Sequence, residues 1–140
     1  MDKRAFGRMG ETAAAIRLCG MGCTLLARNF YVGHDEIDLI LEDGNCIVFA
    51  EVKTRRAHPG HSDRYGSPSS AVDARKSACL LRAAQGYMKE HPAAGKIPRI
   101  DVIEVYADPM SEEFRVLDVV WMKNAVKKTP KFGRKSKWGD

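Results

Sequence analysis

Two apolar runs flank a turn in the stretch EIDLILEDGNCIVFAEVKT, Glu36 to Thr54, with Asp43-Gly44-Asn45 at its centre. Apolar runs of strand length on either side of such a turn predict a β-hairpin. Upstream the spacing changes. Ala14, Ala15 and Leu18 recur at helical intervals with Glu11 on the same face, predicting a helix over roughly residues 6–21 that Gly20 and Gly22 end. TLLARNF, from Thr24, reads as a short strand leading into the hairpin. Residues 55–70 are polar, with two Gly and two Pro, and predict a long loop. Ser70 followed three residues later by Asp73 is a capping-box pattern, so a second helix is expected from Ser70 to about Glu90, where His91-Pro92 stops it. Its apolar stripe is Val72, Cys79, Leu80, Ala83 and Tyr87. RIDVIEVYA and FRVLDVVWM supply two further strands. The order α-β-β-β-α-β-β, with no internal repeat or linker, predicts one α/β domain over residues 1–126 with a mixed central β-sheet flanked by helices.

Charges interrupt this pattern where core is expected. On the second hairpin strand Ile47, Phe49, Glu51 and Lys53 share one face, because side chains alternate with period two. With Gly44-Asn45 as the turn, Asp38 falls opposite Glu51. With Asp43-Gly44 as the turn, Asp38 falls opposite Phe49 and diagonal to Glu51. In both registers Asp38, Glu51 and Lys53 lie on one side of the sheet, whereas a plain three-residue loop would separate them. Facing carboxylates repel and are costly to desolvate unless a cation neutralises them. Mg²⁺ suits such a pair, since it takes one or two carboxylates and keeps waters or phosphate oxygens. Glu11 on the first apolar stripe and Lys76 on the second repeat the oddity. The plain alternative for each residue is an internal ion pair or a place at the rim of the core.

Composition narrows the classes. The chain has 140 residues, 44% hydrophobic and 29% charged, as in ordinary globular domains. No run is long and apolar enough to span a bilayer, and MDKRAFGRMGE has no secretory apolar core, so the expected place is the cytoplasm, with no membrane partner. Four scattered cysteines read as reduced thiols in small apolar niches. The net charge of +5 is unevenly spread: Trp121 to Asp140 carries six Lys and one Arg against one Asp. The rest is nearly neutral. Residues 127–140 thus form a basic tail with little apolar surface, expected to be flexible. Its Lys127, Lys128, Lys131, Arg134, Lys135 and Lys137 read either as a solvated terminus or as a phosphate-binding arm, with Phe132 and Trp138 available to stack on bases. Arg55, Arg56 and Arg64 lie in the 55–70 loop, which reads either as disordered or as a segment that clamps phosphates or gates a substrate. His58 and His61 lack the further ligands of a zinc site. P-loop, dinucleotide-binding and nucleophile-elbow patterns are missing, which excludes those nucleotide-dependent and serine-hydrolase classes.

The combination of Asp38, twelve intervening residues and Glu51-Val52-Lys53 resembles the D…E-x-K motif of restriction-endonuclease-like nucleases. Glu11 is similar to the N-terminal helix glutamate of that superfamily's Holliday-junction resolvases. GRMGETAA, LLARNF, DEIDLI, VFAEVKTR, AVDARK and RIDVIEV look like the bacterial YraN family over roughly residues 7–126. Asp35 departs from that pattern, standing where the family usually has Gly.

The resemblance implies a restriction-endonuclease-like fold and an Mg²⁺- or Mn²⁺-dependent hydrolysis of phosphodiester bonds in DNA, with branched or structured DNA in repair and recombination as candidate substrate. Asp38, Glu51 and the Val52 carbonyl would hold the metal, with Glu11 completing its outer shell or holding a second ion. Lys53 would orient the attacking water, and Lys76 would contact phosphate or that water. Asp101 also matches the family pattern, with pairing to Arg99 or Lys53 as the plain alternative. Resolvases of the superfamily act as homodimers. The competing expectation is a non-catalytic nucleic-acid-binding module that keeps the fold, and a third is an internal ion network in a protein-binding domain.

Overall fold

The computed structural model describes residues 1–57 and 73–125; Arg64, His58, His61, Ser70, Val72 and the basic tail from Lys127 onward lie outside them. Helix α1 spans Lys3–Gly20, followed by strands β1 Thr24–Val32, β2 Asp35–Asp43 and β3 Cys46–Arg56. Helix α2 Ala74–Glu90, β4 Ile97–Ala107 and β5 Val116–Met122 complete the order. The five strands form one sheet in sequential order β1-β2-β3-β4-β5. β1–β2, β2–β3 and β4–β5 are antiparallel, and β3–β4 is parallel. The sheet is therefore mixed, and its one parallel pair is bridged by the segment that carries α2.

Two turns set the register of the β1–β3 meander. Asp43 pairs with Cys46, so Gly44-Asn45 is the two-residue turn, and Gly44 supplies the positive φ of +60° at its first central position. Gly33-His34 does the same between Val32 and Asp35, with Gly33 at φ +61°.

The core has two layers, one on each face of the sheet. Ala14, Ala15 and Leu18 of α1 pack with Leu39, Leu41, Val48, Ala50, Ile103 and Val105. Leu80, Ala83, Ala84 and Tyr87 of α2 pack with Ile37, Ile40, Ile47, Phe49 and Ile100. The alternation of Ile47, Val48, Phe49 and Ala50 between the clusters is the period-two signature of a strand buried on both faces. Gly10 brings α1 directly against β3, where any added Cβ would collide with the Thr54 side chain.

Several boundaries differ from the sequence pattern. α1 starts at Lys3, because the Asp2 carboxylate accepts the Ala5 N–H at 2.7 Å and caps it. α2 starts at Ala74, because Asp73 is itself the N-cap, accepting the Lys76 N–H at 2.8 Å, rather than the third residue of a box begun at Ser70. β3 continues through Arg56, so Arg55 and Arg56 belong to a strand and not to the polar loop. All four cysteines are free thiols, but Cys19 is exposed rather than niched. Among the described residues, no helix is long and apolar enough to cross a membrane.

Candidate functional site

The site forms where β2 and β3 part. Their paired register ends with Leu39 opposite Ala50, although both strands continue. Two residues past Ala50 the Val52 N–H donates to the Asp38 carboxylate at 2.8 Å, so a side chain supplies the acceptor. Alternation along β2 breaks at the same place: Ile37 and Ile40, three apart, both join the α2 cluster, while Leu39 joins the α1 cluster. Asp38 sits at the seam between the two faces.

Glu51 is the buried centre of charge, 5% exposed. Lys53 Nζ stands 3.4 Å from its Oε2, and Lys76 Nζ stands 3.4 Å from its Oε1. Oε1 is nevertheless buried without a hydrogen-bond partner among the described residues, with the Lys76 ammonium as its ion-pair partner. Burial and the neighbouring Glu51 carboxylate push the Asp38 pKa up to about 8, against the pull of the Val52 N–H; Glu11 and Glu36 add to the rise. Burial alone would lower the pKa of Lys76, but Glu51 and Asp38 outweigh it, and the ammonium is held above its ordinary value.

Asp38, Glu51, Lys53 and Lys76 are thus brought together by β2, β3 and α2. Glu11 is near enough to act on the Asp38 charge but is engaged by partners of its own. Asn29 Nδ2 donates to its Oε1 at 3.1 Å, and Arg28 lies 3.6 Å from the same oxygen. Among the described residues no three His, Cys, Asp or Glu side chains gather closely enough to hold a metal ion. The Asp38–Glu51 pair has the chemistry that suits a hard divalent cation: two desolvated carboxylates, one with an oxygen lacking a hydrogen bond.

Arg55 and Arg56, expected to clamp substrate, are differently engaged. Arg55 Nε donates to the buried Glu104 carboxylate at 3.0 Å, and Glu104 also accepts the Tyr106 hydroxyl at 2.8 Å. Arg56 lies over the Phe6 ring at 4.3 Å. Asp101 takes its plain alternative with Arg99 and not Lys53: it accepts from Arg99 Nε and Nη2, Trp121 Nε1 and the Asn124 N–H, all at 2.8–2.9 Å. That set occupies a fully buried carboxylate and ties β4 to the end of β5.

The model of the uncharacterised protein family UPF0102 matches residues 10–105. The chain belongs to the UPF0102 family. This is the family that the motifs resemble under the name YraN. A UPF0102 protein of Caldicellulosiruptor saccharolyticus is 41% identical over 125 residues, covering 89% of this chain and 99% of its own. One from Frankia casuarinae is 43% identical over 103 residues, covering 74% of this chain and 83% of its own. Among solved structures, SfsA of Pyrococcus furiosus in complex with Ca²⁺ is 14% identical, with a TM-score of 0.42, over 85% of this chain and 64% of that one.

The UPF0102 match takes in Glu11, Asp38, Glu51, Lys53, Lys76 and Asp101. It also takes in two residues that the sequence pattern did not single out. Asn29 has φ +49° and its amide bridges Glu11 and Glu36, at 3.1 Å to each. Asn tolerates that left-handed conformation better than most residues, so a lone Asn in LLARNF was a usable signal. Glu36, adjacent to the motif in DEID, was readable only as surface charge.

Proposed function

We propose that this UPF0102 protein is a metal-dependent nuclease that hydrolyses phosphodiester bonds in DNA, acting on branched or otherwise structured DNA in the cytoplasm. The observation that carries the reading is the desolvated Asp38–Glu51 pair at the point where β2 and β3 part, flanked by Lys53 and Lys76. A domain that merely bound phosphates would gain nothing from buried carboxylates that repel them. Asp38, Glu51 and the Val52 carbonyl would hold Mg²⁺ or Mn²⁺, which supplies Lewis-acid polarisation of the phosphate and a more acidic bound water. Lys53, half-exposed beside Glu51, orients the attacking water and balances negative charge that develops on the phosphate. Lys76 reaches the same carboxylate from α2 and contacts a non-bridging phosphate oxygen as substrate enters. Glu11, engaged by Asn29 and Arg28, contributes charge from one layer further out.

The test is incubation of the purified protein with linear, flapped and four-way-junction DNA, and with RNA, in Mg²⁺ or Mn²⁺. Glu51→Ala and Lys53→Ala proteins run alongside. Cleavage abolished by both substitutions is the expected result; cleavage that survives both sinks the mechanism. The near-neutral charge of the first 120 residues favours a second reading, a non-catalytic binding module. Tight binding without cleavage on any of these substrates would select it.

A further inference from the structure

Beside the carboxylate site lies a cleft of about 410 Å³ lined by α1 and the β1–β2 hairpin. Its outer wall is the first two turns of α1, where Lys3, Arg4 and Arg8 stand exposed around Gly7. Its inner end is Glu11 and Glu36, joined through the Asn29 amide. Tyr31 forms the remaining wall, 63% exposed. The neighbouring Glu36 carboxylate raises the Tyr31 pKa, by charge repulsion and by accepting from the phenol.

The acids of the cleft are partnered, while its cations are not matched by a carboxylate among the described residues. Among the described residues none of Lys3, Arg4 and Arg8 has a carboxylate partner, whereas Arg28, close by, is spent on Glu11. Three free cations along one wall attract a polyanion, and an exposed tyrosine opposite offers a flat face to an unpaired base. The volume falls within the range of about 300–1,000 Å³ typical of ligand clefts. It accommodates nucleotide-sized groups, not the full width of a duplex. The carboxylates at the inner end keep phosphates on the α1 side, leaving bases to the Tyr31 side.

We infer that this cleft is the track of a single nucleic-acid strand, with phosphates on Lys3, Arg4 and Arg8 and a base stacked on Tyr31. On the proposed function, the strand then runs past Glu11 to Asp38 and Glu51, and the preferred substrate carries a single-stranded segment beside the scissile bond. The inference rests on that reading for its direction and not for the binding itself. The cationic wall precedes the segment matched by the family model, so it adds to the shared site rather than restating it.

The test measures binding in EDTA, so its outcome does not depend on cleavage. Labelled single-stranded DNA and the same sequence as a blunt duplex are titrated with the full chain and with Arg4→Ala/Arg8→Ala and Tyr31→Ala variants. The substituted side chains are exposed, and unchanged thermal unfolding serves as the control for folding. For the double variant, single-strand affinity should fall at least about tenfold. Its salt dependence should flatten by about 1.4 in log–log slope, at about 0.7 for each phosphate that the variant no longer neutralises. Tyr31→Ala should weaken single-strand binding by about 5- to 150-fold, and duplex binding far less. Unchanged affinity and slope in the double variant would overturn the track, and an equal loss on the duplex would overturn its single-strand character. A protein that shows these losses yet never cleaves would retain the track and lose the nuclease reading.

Discussion

The Asp38 carboxylate accepts the Val52 N–H at 2.8 Å, just beyond Leu39–Ala50, the last β2–β3 register pair. The bond fixes an acid on the seam between the two faces of the sheet, beside Glu51. Because one backbone donor cannot offset both desolvation and a neighbouring carboxylate, the proton on Asp38 is retained to about pH 8.

Stability of the metal-free protein should therefore fall as pH rises. The folded pKa of Asp38 lies above its ordinary value, so between about pH 4 and 8 the folded chain binds more protons than the unfolded one. The contribution is complete below the unfolded pKa and is lost as pH rises through the folded pKa. Its slope is at most about 1.4 kcal/mol per pH unit, the value of one proton. Urea unfolding at a series of pH values should show this slope, and Asp38→Asn should flatten it. A wild-type profile that is flat from pH 5 to 8 would contradict the assignment.

Divalent cation binding should release a proton. At pH 7 Asp38 holds one that a bound cation must displace, so Mg²⁺ or Mn²⁺ titrated calorimetrically in two buffers of different ionisation enthalpy should show release approaching one proton. Asp38→Asn should abolish the buffer dependence. Heats that are the same in both buffers would separate Asp38 from the cation.

Lys53 and Lys76 should behave as a coupled pair. Both are partly exposed, so solvent screening holds each single Met substitution to a loss of about 0.5–1 kcal/mol. Removing both leaves Glu51 buried without a cation, and the double variant should lose more than the sum of the singles. A double-mutant cycle in urea that comes out additive would show that Glu51 does not depend on the two ammoniums.

Asp101 should be a stability residue. Asp101→Ala strips four hydrogen bonds and leaves Arg99 and Trp121 Nε1 without that acceptor, so a loss of about 3–5 kcal/mol is expected. Metal and DNA affinities measured below the unfolding transition should stay at wild-type values. A selective loss of cleavage without a shift in urea midpoint would move Asp101 into the working site.

Much of the architecture was legible because its signals are local. Turn residues at Gly44-Asn45 and the alternation of Ile47 to Ala50 gave the hairpin and one of its two possible registers. The helix stripe carrying Leu80, Ala83 and Tyr87 gave α2. Where the chain relies on distant partners, the pattern failed. The polar residues Arg55 and Arg56 read as loop because Glu104, 49 positions beyond Arg55, and the Phe6 ring were not visible in sequence. The break in alternation at Asp38 was hidden for a related reason: a strand that leaves its neighbour keeps its residue types. Asn29 could be seen as an oddity, but its bridge between Glu11 and Glu36 needs the sheet to bring them together.

The parallel β3–β4 pair has a kinetic consequence. The β1–β3 meander closes through two tight turns, so Asp38 and Glu51 should meet early in refolding. Lys76 arrives only with α2, on the far side of the one long chain closure. Until then the two carboxylates share Lys53 as their one cation within the meander, and their repulsion should oppose the pairing of β2 and β3. Stopped-flow refolding should thus slow as pH rises from 6 to 9, and Asp38→Asn should remove that dependence. The residues proposed for chemistry would also set the pace at which the sheet assembles.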